Sequence, residues 1–189
     1  TRDLPNLLAA ANEVKKSVYI SGPPGVGKSE VLYQYATKLL DLAIASEKDQ
    51  ETVAYLESMR GNNVVDIRLA VEKPETINGQ MIPSKDSAGN WTSMIALNAR
   101  YPRDPRWVGI FLFDELPSAP QINQTFAYQA LQDRCIGQYK FPEGVQVVSA
   151  GNRLGDGGIV FELPTPVMNR VRHYEMRADA DVWIEDYAI

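Results

Sequence analysis

Two hydrophobic periods take turns along this chain, one of about 3.6 residues and one of 2. Residues 4–14 carry Leu and Ala at helical spacing and predict a short helix. Residues 17–21, Ser-Val-Tyr-Ile-Ser, predict a strand, closed by Gly22-Pro23-Pro24-Gly25. Leu32, Tyr35, Leu39, Leu42 and Ala43 then recur with the period of one helix face. A further helix is expected over 50–60 and a strand over 64–70. Residues 72–108 are irregular: Pro74, Pro83, Pro102 and Pro105 interrupt them, and Ala88-Gly89-Asn90 marks a turn between two short strands. The continuous apolar run 109–113 predicts a strand buried on both faces. A helix follows over 121–132 with Ile122, Phe126 and Ala130 on one face. A hairpin arm over 136–141 turns at Pro142-Glu143-Gly144 into a strand at 145–150. Residues 171–176 predict the last strand, and 181–189 the opening of a helix with Val182 and Trp183 on its apolar side. Helices alternating with strands predict an α/β fold, a parallel sheet covered by helices.

Composition narrows the function classes. The 189 residues fit one domain. Hydrophobic residues at 44% and charged residues at 23% exclude a disordered chain. A formal net charge of -5 argues against a protein that coats nucleic acid non-specifically. One cysteine, Cys135, excludes an intrachain disulfide, and one histidine, His173, removes His-rich zinc sites. Both suit a reducing cytoplasm. No run approaches the roughly 18 apolar residues of a membrane span. The first residues lack the charged-then-apolar pattern of a secretory signal. A start at Thr1 and an end inside a predicted helix lead us to expect a piece of a longer polypeptide.

Three segments carry the chemistry. Gly22-Pro23-Pro24-Gly25-Val26-Gly27-Lys28-Ser29, followed by Glu30, fits the spacing of a phosphate-binding loop between a strand and a helix. Its glycines let backbone N–H groups face phosphate oxygens, and the following helix turns its positive end toward them. Lys28 would pair with the β- and γ-phosphates of a nucleotide, and the Ser29 hydroxyl would ligate Mg²⁺. The second segment, 109–115, ends its apolar run in Asp114 and Glu115, at the strand edge where open α/β sheets bind ligands. Asp114 would hold Mg²⁺, and Glu115 could accept a proton from an attacking water. In the third, Val145-Gln146-Val147-Val148-Ser149-Ala150-Gly151-Asn152, a strand ends in an amide able to orient a water beside a γ-phosphate.

Together these segments resemble the AAA+ ATPase module, with Walker A at 22–29, Walker B at Asp114-Glu115 and sensor 1 at Asn152. The details are most similar to its MoxR-like group: Asp114-Glu115-Leu116-Pro117-Ser118, the run from Ala130 to Val145 that matches the hairpin before sensor 1, and a stretch from Leu163 to His173. Residues 77–95 sit where the group inserts a hairpin into its second helix. The resemblance covers nearly the whole chain. It implies a five-stranded parallel sheet in the order 5-1-4-3-2, an α/β domain over residues 1–178, and the start of a helical lid at 179–189. It implies ATP and Mg²⁺ as ligands, a homo-oligomeric ring of six subunits, and a protein client of the kind that carries a von Willebrand A domain. It makes Arg170 the arginine finger offered to a neighbouring subunit. Val171 stands where the group usually has Phe, and Arg172 is the rival. No sensor 2 arginine is evident.

Two other classes share some of these features. A nucleic-acid motor would use the same hairpin, against the acidic net charge. A nucleotide-gated scaffold would bind ATP without turnover, against the intact Glu115 and Asn152. Arg100, Arg103 and Arg106 interleave with Tyr101 and Trp107, as in a polyanion-contact segment or a plain surface loop. Trp91 is either a projecting contact residue or a local anchor.

Overall fold

The computed structural model of the chain describes residues 3–153 and 164–177. The elements run α1 (Leu4–Glu13), β1 (Val18–Ser21), α2 (Lys28–Ser46), α3 (Gln50–Ser58), β2 (Val64–Arg68), α4 (Pro74–Asn78), β3 (Gln80–Lys85), β4 (Trp91–Ala96) and β5 (Val108–Asp114). After a 3₁₀ turn (Leu116–Ser118) come α5 (Gln121–Asp133), β6 (Cys135–Ile136), β7 (Tyr139–Lys140), β8 (Gly144–Gly151), α6 (Thr165–Met168) and β9 (Arg172–Glu175). The expected lid start at 179–189 and the helix opening at 181–189 lie outside the described residues.

Five strands form one sheet in the order β2-β5-β8-β1-β9. Every neighbouring pair is parallel. Counting only these five, the order is the expected 5-1-4-3-2. The continuous apolar run 109–113 is explained by burial on both faces. Ile110 and Leu112 pack with Val18, Ile20, Val148 and Ala150 under Leu8 of α1 and Leu32, Tyr35 and Ala36 of α2. Phe111 and Phe113 alternate to the other face, with Tyr19, Val145 and Val147 beneath Leu56 of α3 and Ala127, Ala130 and Leu131 of α5. Phe111 meets Tyr101, Trp107, Tyr139 and Phe141 there in an aromatic cluster, with ring centroids 4.5–6.2 Å away. The parallel stacking brings the C-terminal ends of β1, β5 and β8 to one edge of the sheet.

Two helix faces differ from their sequence patterns. In α2, Leu42 is 54% exposed, and the buried stripe is Leu32, Tyr35, Ala36 and Leu40. In α5, Ile122 is 49% exposed, and Asn123 and Gln124 are buried instead. The Asn123 amide donates to the carbonyls of Leu69 and Glu72 at 2.8 Å each, and Gln124 donates to the carbonyl of Ala119 at 3.0 Å. Buried loop carbonyls need donors, so polar side chains take places an apolar pattern assigns to Ile.

The 72–108 segment resolves into α4 and the β3–β4 hairpin, paired antiparallel from Gln80↔Ala96 to Lys85↔Trp91. Trp91 is 75% exposed, with the Lys85 ammonium 4.9 Å from its ring, so it does not anchor in the core. Tyr101 and Trp107 are core residues, whereas Arg100 pairs with Glu72 and Arg106 with Asp104 and Glu51. These two arginines are engaged within the fold, as a surface loop requires.

Candidate functional site

The loop 22–27 leaves the C-terminal end of β1 and turns directly into α2. Gly25 and Gly27 adopt φ of 75° and 86°, a region that costs other residues steric strain. Gly27 is the N-cap of α2, and no side chain caps that end. The first-turn N–H groups of α2 therefore face outward with the helix dipole behind them, a ready anion site. The Lys28 ammonium folds back over the loop. It donates to the carbonyls of Gly22 at 2.8 Å and Pro23 at 3.0 Å, and to Oδ1 of Asn152 at 3.1 Å. Asn152 and Lys28 of the glycine-rich loop, 124 residues apart in sequence, thus meet at one cation.

The acidic pair sits beside them. Ser29 Oγ donates to Asp114 Oδ2 at 3.4 Å, and the Glu115 N–H donates to Asp114 Oδ1 at 2.8 Å. Glu115 has φ of 58°, left-handed backbone that a glutamate seldom adopts. The next residues form a 3₁₀ turn whose Leu116 and Pro117 are buried. This turn ends the strand abruptly and leaves the Glu115 side chain exposed at the sheet edge. Backbone strain of this kind gathers at working sites.

The structure adds two residues that sequence reasoning missed. Tyr33 lies one helical turn beyond Ser29 and donates from its hydroxyl to Asp66 Oδ2 at 3.3 Å. Asp66 is on β2, whose register sets it beside Leu112 and sets Arg68 beside Asp114. Burial, and secondly the Asp114 charge, push the Asp66 carboxyl above its ordinary range. Asp66 Oδ1 is buried with no partner among the described residues. An aspartate two residues after Val64, in the middle of the short strand Val64-Val65-Asp66-Ile67-Arg68, was the available signal. Two carboxylates on adjacent strands enrich negative potential where Ser29 and Asp114 converge.

Arg170 and Arg172 are not at this edge. Arg172 opens β9 and pairs with Val18, at the N-terminal end of β1, and its N–H donates to the Ser17 carbonyl at 2.9 Å. Arg170 sits just before it in the turn after α6, exposed, with its guanidinium donating to Gln132 Oε1 on α5. Both arginines are therefore at the end of the sheet opposite Lys28. His173 touches the site from β9, with Nε2 2.8 Å from Ser21 Oγ, and burial lowers its pKa.

The residues present suit a magnesium ion. Ser29 and Asp114 offer one hydroxyl and one carboxylate, hard oxygen donors. Among the described residues no cluster of three or more His, Cys, Asp or Glu forms an all-protein cage. Magnesium characteristically takes one or two carboxylates and completes its shell from phosphates and water. No helix among the described residues is long and apolar enough to cross a membrane.

No family model and no curated protein matches the chain. Among solved structures, a presumed ATPase from Cytophaga hutchinsonii aligns over 96% of this chain with a TM-score of 0.53 and 16% sequence identity. NtrX from Brucella abortus aligns over 92% of this chain and 36% of its own, with a TM-score of 0.46 and 17% identity. The chain spans 48% of the length of the Cytophaga structure. The first likeness shows a shared α/β fold.

Proposed function

We propose that the chain is the nucleotide-binding core of a MoxR-like AAA+ ATPase, which hydrolyses ATP with Mg²⁺ to remodel or activate a protein partner. The observation that carries the reading is the convergence of Lys28, Ser29, Asp114 and Asn152 on one sheet edge, next to an uncapped helix N-terminus. The amides of residues 22–29 and the start of α2 bind the polyphosphate. Lys28 exchanges its carbonyl partners for β- and γ-phosphate oxygens. Ser29 and Asp114 hold the magnesium ion, which when bound neutralises charge on the phosphates. Glu115 takes the proton of the attacking water, and Asn152, beside Lys28, orients that water.

Arg170 lies at the opposite end of the sheet from its own Lys28, so within one subunit it serves no γ-phosphate. In a head-to-tail ring it serves the neighbour's. The lid, the hexameric ring, the client and cytoplasmic action belong to the same reading.

The test separates binding from chemistry in the full-length chain. Lys28→Ala should weaken ATP binding in calorimetry and abolish phosphate release. Glu115→Gln should bind ATP and lose about 10²–10⁴ in rate. Arg170→Ala should bind ATP and lose roughly 10³–10⁵, and mixing it with Glu115→Gln subunits should restore activity. Parental ATP affinity in Lys28→Ala would end the phosphate-loop assignment. A parental protein that binds ATP and releases no phosphate would turn the reading to a nucleotide-gated scaffold.

A further inference from the structure

Arg170 differs from most arginines of this fold in the company it keeps. Arg60, Arg100, Arg106, Arg153 and Arg177 each reach a carboxylate. Among the described residues no carboxylate forms an ion pair with Arg170; its side chain donates to the neutral amide oxygen of Gln132. A guanidinium has five N–H donors in a rigid fork. A neutral acceptor can fix the plane of that fork while leaving its charge and remaining donors for an incoming anion. A carboxylate in the same place would hold it more firmly and cancel the charge.

Gln132 is well placed for this. It is half-buried in the last turn of α5, and the next turn of chain is pinned. Arg134 caps α5 and donates to the carbonyls of Pro142 at 3.2 Å and Val145 at 2.7 Å, which fastens the helix end to the start of β8. The amide is thus presented from fixed backbone, whereas Arg170 projects into solvent from a turn.

We infer that Gln132 is a positioning residue that pre-orients Arg170 for an anionic phosphoryl group without neutralising it. The inference rests on the proposed finger role of Arg170. Fixing a flexible side chain in advance lowers the ordering cost at the moment of reaction.

The experiment compares Gln132→Met and Gln132→Glu in the full-length chain, alone and combined with Arg170→Ala. Methionine keeps length and loses the acceptor, so kcat should fall on the order of tenfold, the effect of one hydrogen bond to a charged group. The Kd for ATP by calorimetry should not move. Glutamate keeps the contact and adds charge. Thermal unfolding of Gln132→Glu should occur at or above the parental temperature while its kcat falls at least as far as that of Gln132→Met. In the Arg170→Ala background neither substitution should change kcat further. A merely structural contact predicts the reverse, with glutamate tolerated and methionine destabilising. Parental kcat in Gln132→Glu, or defects that persist without Arg170, would overturn the inference. If Arg170→Ala itself hydrolyses ATP normally, the finger assignment falls and Gln132 with it. If Arg170→Ala is defective and the Gln132 variants are not, only the positioning role falls.

Discussion

Gly151 joins the two halves of the proposed catalytic machinery through a contact that leaves no room for a side chain. It ends β8 opposite Ser21, and Asn152 follows it. A Cβ added there would lie 2.2 Å from Cδ and 2.6 Å from Cγ of Pro117, and 3.2 Å from the Tyr19 hydroxyl oxygen. The backbone of Gly151 is outside the left-handed region, so alanine meets a steric problem and no conformational one. Ordinary contact starts near 3.4 Å, leaving a deficit of about 1.2 Å against a rigid proline ring. Overpacking of this kind costs roughly 1–3 kcal/mol of stability. Relief can come from two movements. Shifting Pro117 moves the 3₁₀ turn that Glu115 caps, and shifting the end of β8 moves Asn152. A misplacement of about 1 Å costs on the order of 10² in rate. Gly151→Ala should therefore melt somewhat earlier, bind ATP within a few-fold of the parent, and release phosphate about a hundredfold more slowly. Parental turnover in a folded Gly151→Ala protein would show that neither Glu115 nor Asn152 depends on this contact, and would refute the geometry of the site.

Two further substitutions test the electrostatics. Asp66 is held above its ordinary carboxylate range, first by burial and then by Asp114. A raised carboxyl costs stability once pH rises through its folded value, so Asp66→Asn should raise the melting temperature at pH 7 and lose that gain in acid near the ordinary aspartate value of 3.8; an equal shift at both pH values would contradict it. His173 has a folded pKa lowered by burial, so its stabilising share is complete above the ordinary histidine value of 6.5 and is lost as pH falls below it. His173→Gln should flatten the fall in melting temperature on acidification from pH 7, and unchanged pH dependence would remove His173 as a contributor.

Much of the fold was legible because each sheet strand announces itself by a local rule. The run 109–113 could only be a strand buried on two faces, and the Gly-Pro break at 22–25 fixed where β1 stops. The failures share a cause that no local pattern carries. Leu42 obeys the helical period of α2 and still faces solvent, toward the C-terminal end of the helix and past the buried stripe that ends at Leu40. Ile122 gives way to Asn123 and Gln124 because carbonyls of the loop after β2 and of the turn before α5 end up beneath α5. Which carbonyls are stranded there depends on tertiary contacts between segments some 50 residues apart.

The site divides in the same way. Lys28, Ser29, Asp114 and Asn152 could be placed from sequence, since each follows a strand or opens a helix and parallel strands deliver their C-terminal ends to one edge. Tyr33 and Asp66 could not, because their meeting depends on how α2 crosses β2. Arg170 is the informative case. Sequence supplies an arginine before the last strand, and register supplies its location. Parallel pairing of β9 with β1 places the start of one beside the start of the other, Arg172 against Val18. Lys28 follows the end of β1, so a residue preceding β9 must lie at the opposite end of the sheet. No side-chain rotation spans that length. If Arg170 contributes to hydrolysis, the phosphate it meets is bound by another copy of the chain. A copy that gives at one end and receives at the other makes a heterologous contact, which closes only as a ring or continues as a filament.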